Sequence, residues 1–202
     1  MSRVLIGSLG WSFPDWDVSF YPEDIPDDWK LTFYANEFSA VVLPEAVWSG
    51  DEFSDIAEMV DELDESFKVY CLVETSLPDA EQITQIKEGL DQYFAGFIVK
   101  SAVNVDSFDL SMHESFLLHY GVEFGDEFKG RYWAGVNEQS DKPLSLLLLE
   151  EAIDLRELRQ HFESRQNSLK SEDDIMVFLQ AESPSIQYLH DLRTLLELMA
   201  IA

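Results

Sequence analysis

The chain has 202 residues, 46% of them hydrophobic and 13% aromatic, which suffices for one substantial core and excludes wholesale disorder. Against 40 acidic residues stand only 13 basic ones, a formal net charge of −27, so nucleic acid and anionic membranes are excluded as expected partners, because phosphate binding needs clustered Lys and Arg. No apolar run reaches the roughly 18 residues of a membrane span. The first strand follows Met1-Ser2-Arg3 directly, which leaves no room for a signal peptide and predicts a cytoplasmic protein with a single domain over 1–202.

Val4, Leu5 and Ile6 form a continuous apolar run, the pattern of a strand buried on both faces. Gly7-Ser8-Leu9-Gly10 then turns into an aromatic loop holding Trp11, Ser12, Phe13, Trp16 and Tyr21. Asp27 is predicted to cap a helix carrying Trp29, Phe33 and Phe38, and Ala40 to Leu43 is a second strand. Ser49 and Glu52 have the spacing of a capping box, ahead of an amphipathic helix with Phe53, Ile56, Val60 and Leu63 inward. Phe67 to Val73 is a third strand. A helix starting near Ser76 and Pro78 presents Ile83, Ile86, Leu90 and Phe94 on one face, and Gly96 to Val99 is a fourth strand ending at Lys100.

The next stretch is weaker in pattern, with a helix predicted over Ser111 to Tyr120 and stopped by Gly121. Tyr132 to Val136, Leu144 to Leu149 and Ile175 to Leu179 read as strands five to seven. Leu155, Leu158 and Phe162 mark a helix between the last two. A final helix after Ser183-Pro184 has Ile186, Leu189, Leu192, Leu196 and Met199 on one face. Alternating strands and helices imply a parallel sheet, here a TIM-barrel-like (βα) barrel reduced to about seven strands, with an open doubly wound α/β sheet as the alternative.

The opening IGSLGWSFPDW, the following FYPEDIP, and a helix with Trp29, Tyr34-Ala35 and then Phe38 resemble the start of the domain of unknown function 72 family, also called YecE-like. That family typically begins IGTSGWSYxxW, then FYPxxLP, then a W-x-x-YYA-x-x-F helix. The resemblance covers about the first 48 residues. It implies a TIM-barrel-like fold with the aromatics at the barrel mouth. Two departures are plain: Val42 and Pro44 stand where the family's second strand carries a glutamate and an asparagine, and the run from Phe67 to Val73 lacks the family's lysine. The chain thus resembles a shortened and divergent member.

Parallel strands would bring Glu45, Glu74, Lys100, Asn137, Glu138, Glu150 and Gln180 to one rim, where barrels place catalytic groups. Ser8, Trp11, Ser12, Trp16, Tyr21, Glu45 and Lys100 are the candidate ligand-binding residues. Trp11, Trp16 and Tyr21 either face a ligand or plug the end of the core. His113, His119, His161 and His190 lack metal-ligand spacing, and no P-loop, dinucleotide loop or nucleophile elbow is present. No metal, cofactor, catalytic residue or reaction is therefore assigned, and whether the chain is an enzyme stays open. Cys71, the single cysteine, sits in an apolar strand as a buried, inert thiol. Six acids and no base lie in Asp15–Asp28, and eight acids and no base in Asp51–Glu65. They form either a solvated face or a surface for a basic protein. Three functions follow: a non-catalytic barrel with a small-molecule pocket lined by the aromatics, an acidic protein-interaction module, or an enzyme using rim carboxylates and Lys100.

Overall fold

A computed structural model describes residues 4–100, 117–118, 121–123, 130–136, 143–149, 152–165 and 175–200. β1 (Val4–Ser8) leads through α1 (Trp16–Ser19) and α2 (Asp27–Glu37) to β2 (Ala40–Leu43). α3 (Glu45–Trp48) and α4 (Phe53–Val60) precede β3 (Lys68–Val73), and α5 (Ala80–Leu90) precedes β4 (Phe94–Val99). Then come β5 (Leu117–Leu118), β6 (Gly121–Glu123), β7 (Gly130–Val136), β8 (Pro143–Leu149), α6 (Leu155–Arg165), β9 (Ile175–Leu179) and α7 (Ile186–Ala200).

The strands form two sheets, of order β1-β9-β8-β7-β6 and β2-β3-β4-β5. All pairs in the second are parallel, as are β1/β9 and β8/β9 in the first. The sheets meet where Leu9 bridges Val42 in parallel and the Gly10 amide donates to the Val42 carbonyl at 2.8 Å. The fold is α/β with parallel strands. Among the described residues the ladder does not close into a barrel, and the open-sheet alternative fits this pairing.

One strand departs from the expected all-parallel order. β7, the fifth strand of the sequence reading, runs antiparallel to both β6 and β8. Six residues, 137–142, separate it from β8 and six, 124–129, separate it from β6. A parallel crossover needs a dozen or more residues, so linkers this short enforce hairpins. The helix expected over Ser111 to Tyr120 is also corrected. Leu117–Leu118 is strand, paired in parallel with Phe97 and Ile98 of β4, and the rest of that stretch lies outside the described residues.

Alternation along the strands sorts the core into two clusters. Ile6, Val41, Val69, Cys71, Phe97 and Val177 face the helices and pack with Leu31, Ile56, Val60, Ile86 and Leu192. Leu5, Val42, Tyr70, Leu72, Ile98 and Phe178 form a second cluster on the other face, fed by both sheets. Burial on both faces is why these strands read as unbroken apolar runs. The helical faces expected on α4, α5 and α7 are buried at Ile56, Val60, Ile83, Ile86, Leu90, Leu189, Leu192 and Leu196, whereas Phe94, expected on the α5 face, is the first residue of β4. Cys71 is fully buried, and desolvation pushes its thiol well up.

Helix starts differ in detail. α5 is capped at Asp79, whose carboxylate accepts from the Gln82 amide at 2.9 Å while the Gln82 side chain accepts from the Asp79 amide at 3.0 Å. Ser49 and Glu52 form no such box, because the Ser49 hydroxyl donates instead to the Glu45 carbonyl at 2.6 Å. Asp27 is the first residue of α2 rather than its cap, and its carboxylate pairs with Lys30 at 2.7 Å. α2 buries Lys30, Leu31 and Tyr34 and leaves Trp29 62% exposed.

Candidate functional site: an aromatic cavity beside the opening loop

The opening loop is built on close backbone approach. Gly7 lies against the Ala40 carbonyl, where a Cβ would come within 1.9 Å of its oxygen. Ser8 is fully buried: its amide donates to the Tyr34 hydroxyl at 2.9 Å and its own hydroxyl to the Gly10 carbonyl at 2.6 Å. The Tyr34 hydroxyl donates in turn to the Ala40 carbonyl at 3.1 Å. Gly10 turns the chain at φ +84°, a left-handed conformation that glycine adopts without a steric penalty. Ser8 is thereby committed to the junction of β1, α2 and β2.

The expected platform of three aromatics splits in two. Trp16 is only 1% exposed and stacks near Tyr34 with centroids 5.9 Å apart and planes at 14°. Phe13 and Phe20 pack on its other sides, and its indole N–H donates to the Pro184 carbonyl at 2.7 Å. Tyr21 is 5% exposed, and its hydroxyl donates to the Trp11 carbonyl. Burial pushes the Tyr21 phenol well up, helped by Tyr34 and Asp17. Both rings therefore sit in the core rather than on an exposed platform, because each polar tip finds a backbone acceptor there and each ring a set of aromatic neighbours.

Trp11 and Ser12 remain at a surface. With Leu9, Gly10 and Phe13 they line one side of a cavity of about 600 Å³. Pro44 and Val47 line it beyond β2, and Glu52, Asp55, Ile56 and Met59 line it from the α4 side, with Asp27 from α2. The cavity thus lies beyond the C-terminal ends of β1 and β2, the edge where α/β proteins bind ligands. The α4 contribution was missed from sequence, although positions 52, 55, 56 and 59 follow the i, i+3, i+4, i+7 spacing of one helical face.

Glu45 and Lys100 lie elsewhere along the same edge, and neither lines this cavity. The Glu45 carboxylate accepts from the amides of Glu74 at 2.5 Å and Thr75 at 2.9 Å, and from the Thr75 hydroxyl. Burial alone would raise its pKa, but the bonds from Thr75 and Glu74 outweigh this and hold it below the usual value of 4.5. Lys100 forms an ion pair with Glu74, and its amide donates to the Val73 carbonyl at 2.9 Å. These contacts tie together the ends of β2, β3 and β4. Gln180, at the end of β9, has a buried side-chain oxygen with no hydrogen-bond partner among the described residues. Asn137, Glu138 and Glu150, the other expected rim residues, lie outside the described residues.

The Glu45 clamp has a pH signature. A carboxyl whose folded pKa is depressed contributes stability above its unfolded value and loses it as pH falls through the folded value. Glu45→Gln should therefore lower unfolding free energy at pH 7, with the gap from the parent protein closing as pH drops below about 4.5. Urea denaturation across that range measures it, and a gap independent of pH would rule out the ionised clamp.

Parallel strands with an aromatic cavity at their C-terminal edge define the class of this protein as an α/β protein with a ligand-sized hollow beside its first strand. A family model described as "Protein of unknown function DUF72" matches residues 5–109, more than half of the chain, and the chain belongs to that family. The crystal structure of a DUF72 family protein from Thermotoga maritima is similar at a TM-score of 0.56 and 13% identity, covering 96% of this chain and 99% of that one. That likeness concerns the fold. No curated protein matches the chain. Among the described residues, no helix is long and apolar enough to cross a membrane.

Proposed function

We propose that the chain is a non-catalytic binding protein that holds a small organic molecule in the cavity beside Trp11. The observation that carries this reading is a hollow of about 600 Å³ lined by Trp11, Phe13, Val47, Ile56 and Met59. Ligand sites typically occupy 300–1,000 Å³ with mostly apolar walls and few polar groups. The inner apolar cluster drawn from both sheets supports a barrel-derived architecture in a single domain, with the cavity at its mouth. The enzyme reading has less support, since Glu45 is engaged by loop amides and Lys100 by Glu74.

The neutral dye Nile red is a direct probe. It should bind one to one with a gain in fluorescence, and Val47→Trp, which puts an indole into the cavity from a partly exposed position, should abolish that gain. Equal dye binding by the parent protein and Val47→Trp would refute the cavity reading.

A basic protein partner is the second reading, favoured by one feature. Trp29, 62% exposed, stands in a groove between α2 and α4 among Asp28, Asp55, Glu58, Met59 and Glu62. An exposed indole among carboxylates suits Arg and Lys side chains.

A further inference from the structure

The cavity walls are chemically two-sided, and we infer that its ligand is an organic cation with an apolar body. This rests on the binding reading above and names the ligand class. On the loop and β2 side the walls are Leu9, Trp11, Phe13, Pro44 and Val47; towards α2 and α4 stand Asp27, Glu52 and Asp55. None of the lining residues is basic. Asp27 is already paired with Lys30, whereas Glu52 and Asp55 make no side-chain hydrogen bond or ion pair among the described residues. Two carboxylates that have no partner among the described residues thus share the lining of a ligand-sized space with Trp11 and Phe13.

That combination selects for charge sign. An anion would meet carboxylate repulsion with no cation to relieve it. A neutral solute would gain the apolar walls and nothing from the acids. An ammonium group gains both, through Coulomb attraction to Glu52 and Asp55 and through the ring face of Trp11. The neighbouring groove shares Asp27, Asp55 and Met59 with the cavity and adds Asp28, Glu58 and Glu62. Its carboxylates extend the negative field outward and raise the local concentration of cations at the entrance.

The test uses a matched pair of probes on the full chain, choline and its neutral carbon isostere in which a tert-butyl group replaces the trimethylammonium. Both are titrated against bound Nile red at low ionic strength. Choline should displace the dye at a concentration roughly fivefold lower or better. In the double variant Glu52→Gln/Asp55→Asn, both changes being at exposed positions, that advantage should disappear, the two probes displacing the dye at similar concentrations. Equal displacement by the two probes in the parent protein overturns the cation assignment and leaves the cavity reading standing. An advantage that survives intact in the double variant overturns it as well, because the carboxylates then do not select the ligand. Absence of one-to-one dye binding brings down the cavity reading and the inference together.

Discussion

Trp16→Ala should lower the unfolding free energy by about 3–5 kcal/mol, the range for truncating a large aromatic in a packed core. The indole is 1% exposed and touches Phe13, Phe20, Tyr21 and Tyr34. Its removal leaves a hollow that the four packed rings cannot collapse into, and it strands the Pro184 carbonyl that now accepts the indole N–H. A buried acceptor left without a donor adds about 1–3 kcal/mol on general grounds, so the upper half of the range is expected. Trp11→Ala makes the control: the side chain is half-buried and lines the cavity, and its loss should cost far less. Urea denaturation of both variants decides the matter, and a loss below about 2 kcal/mol for Trp16→Ala would show that the ring is not core.

Gly7→Ala should be at least as damaging, for the opposite reason. The added methyl would lie 1.9 Å from the Ala40 carbonyl oxygen and 2.8 Å from the Tyr34 hydroxyl. The nearer obstacle is the backbone of β2, which cannot rotate aside. β1 and β2 must separate, and with them go the Tyr34–Ala40 bond, the Ser8–Tyr34 bond and the bridge from Leu9 to Val42. Overpacking of an ordinary core site costs about 1–3 kcal/mol. A clash with fixed backbone belongs above that range, so a loss greater than about 3 kcal/mol or failure to fold is expected. A Gly7→Ala protein with the parent's urea midpoint would mean that the two strands are not so close.

Much of the fold was legible because the periodicities are clean. Ile56, Val60, Ile83, Ile86, Leu90, Leu189, Leu192 and Leu196 repeat at helical steps and all are buried, and the strands β1 to β4 and β9 are apolar runs bounded by polar turns. The orientation of β7 was also written in the chain, since only six residues separate it from β8, but counting strand and helix alternation hides a linker length. Leu117–Leu118 shows the limit of pattern over a short apolar run, which suits helix and strand equally.

The site was less legible. Trp11 and Trp16 share a motif and five residues of spacing, and nothing local distinguishes the cavity wall from the core plug. The difference lies with Pro184, far along the chain, which supplies the acceptor for one indole. In the same way Trp29 and Leu31 are both apolar, and only the packing of α2 leaves the first exposed and the second fully buried. Glu45 stands just beyond the end of β2, but its partners Glu74 and Thr75 come from another strand end, so its engagement could not be read from its own neighbours.

The pairing of β1 with β9, from Val4 opposite Ile175 to Ser8 opposite Leu179, joins strands far apart in the sequence. Contacts of this sequence separation carry the largest loop-closure entropy and slow folding accordingly. During synthesis the first strand leaves the ribosome long before its neighbour exists. Against β2 it makes no continuous ladder among the described residues, only the bridge from Leu9 to Val42 and close packing of Gly7 on the Ala40 carbonyl. The Trp16 indole is in the same position, because Pro184 emerges later still. A nascent chain therefore carries its most aromatic segment incompletely covered until β9 and Pro184 have been made, and the dense negative charge of Asp15–Asp28 within and just after that segment keeps like chains apart during the wait.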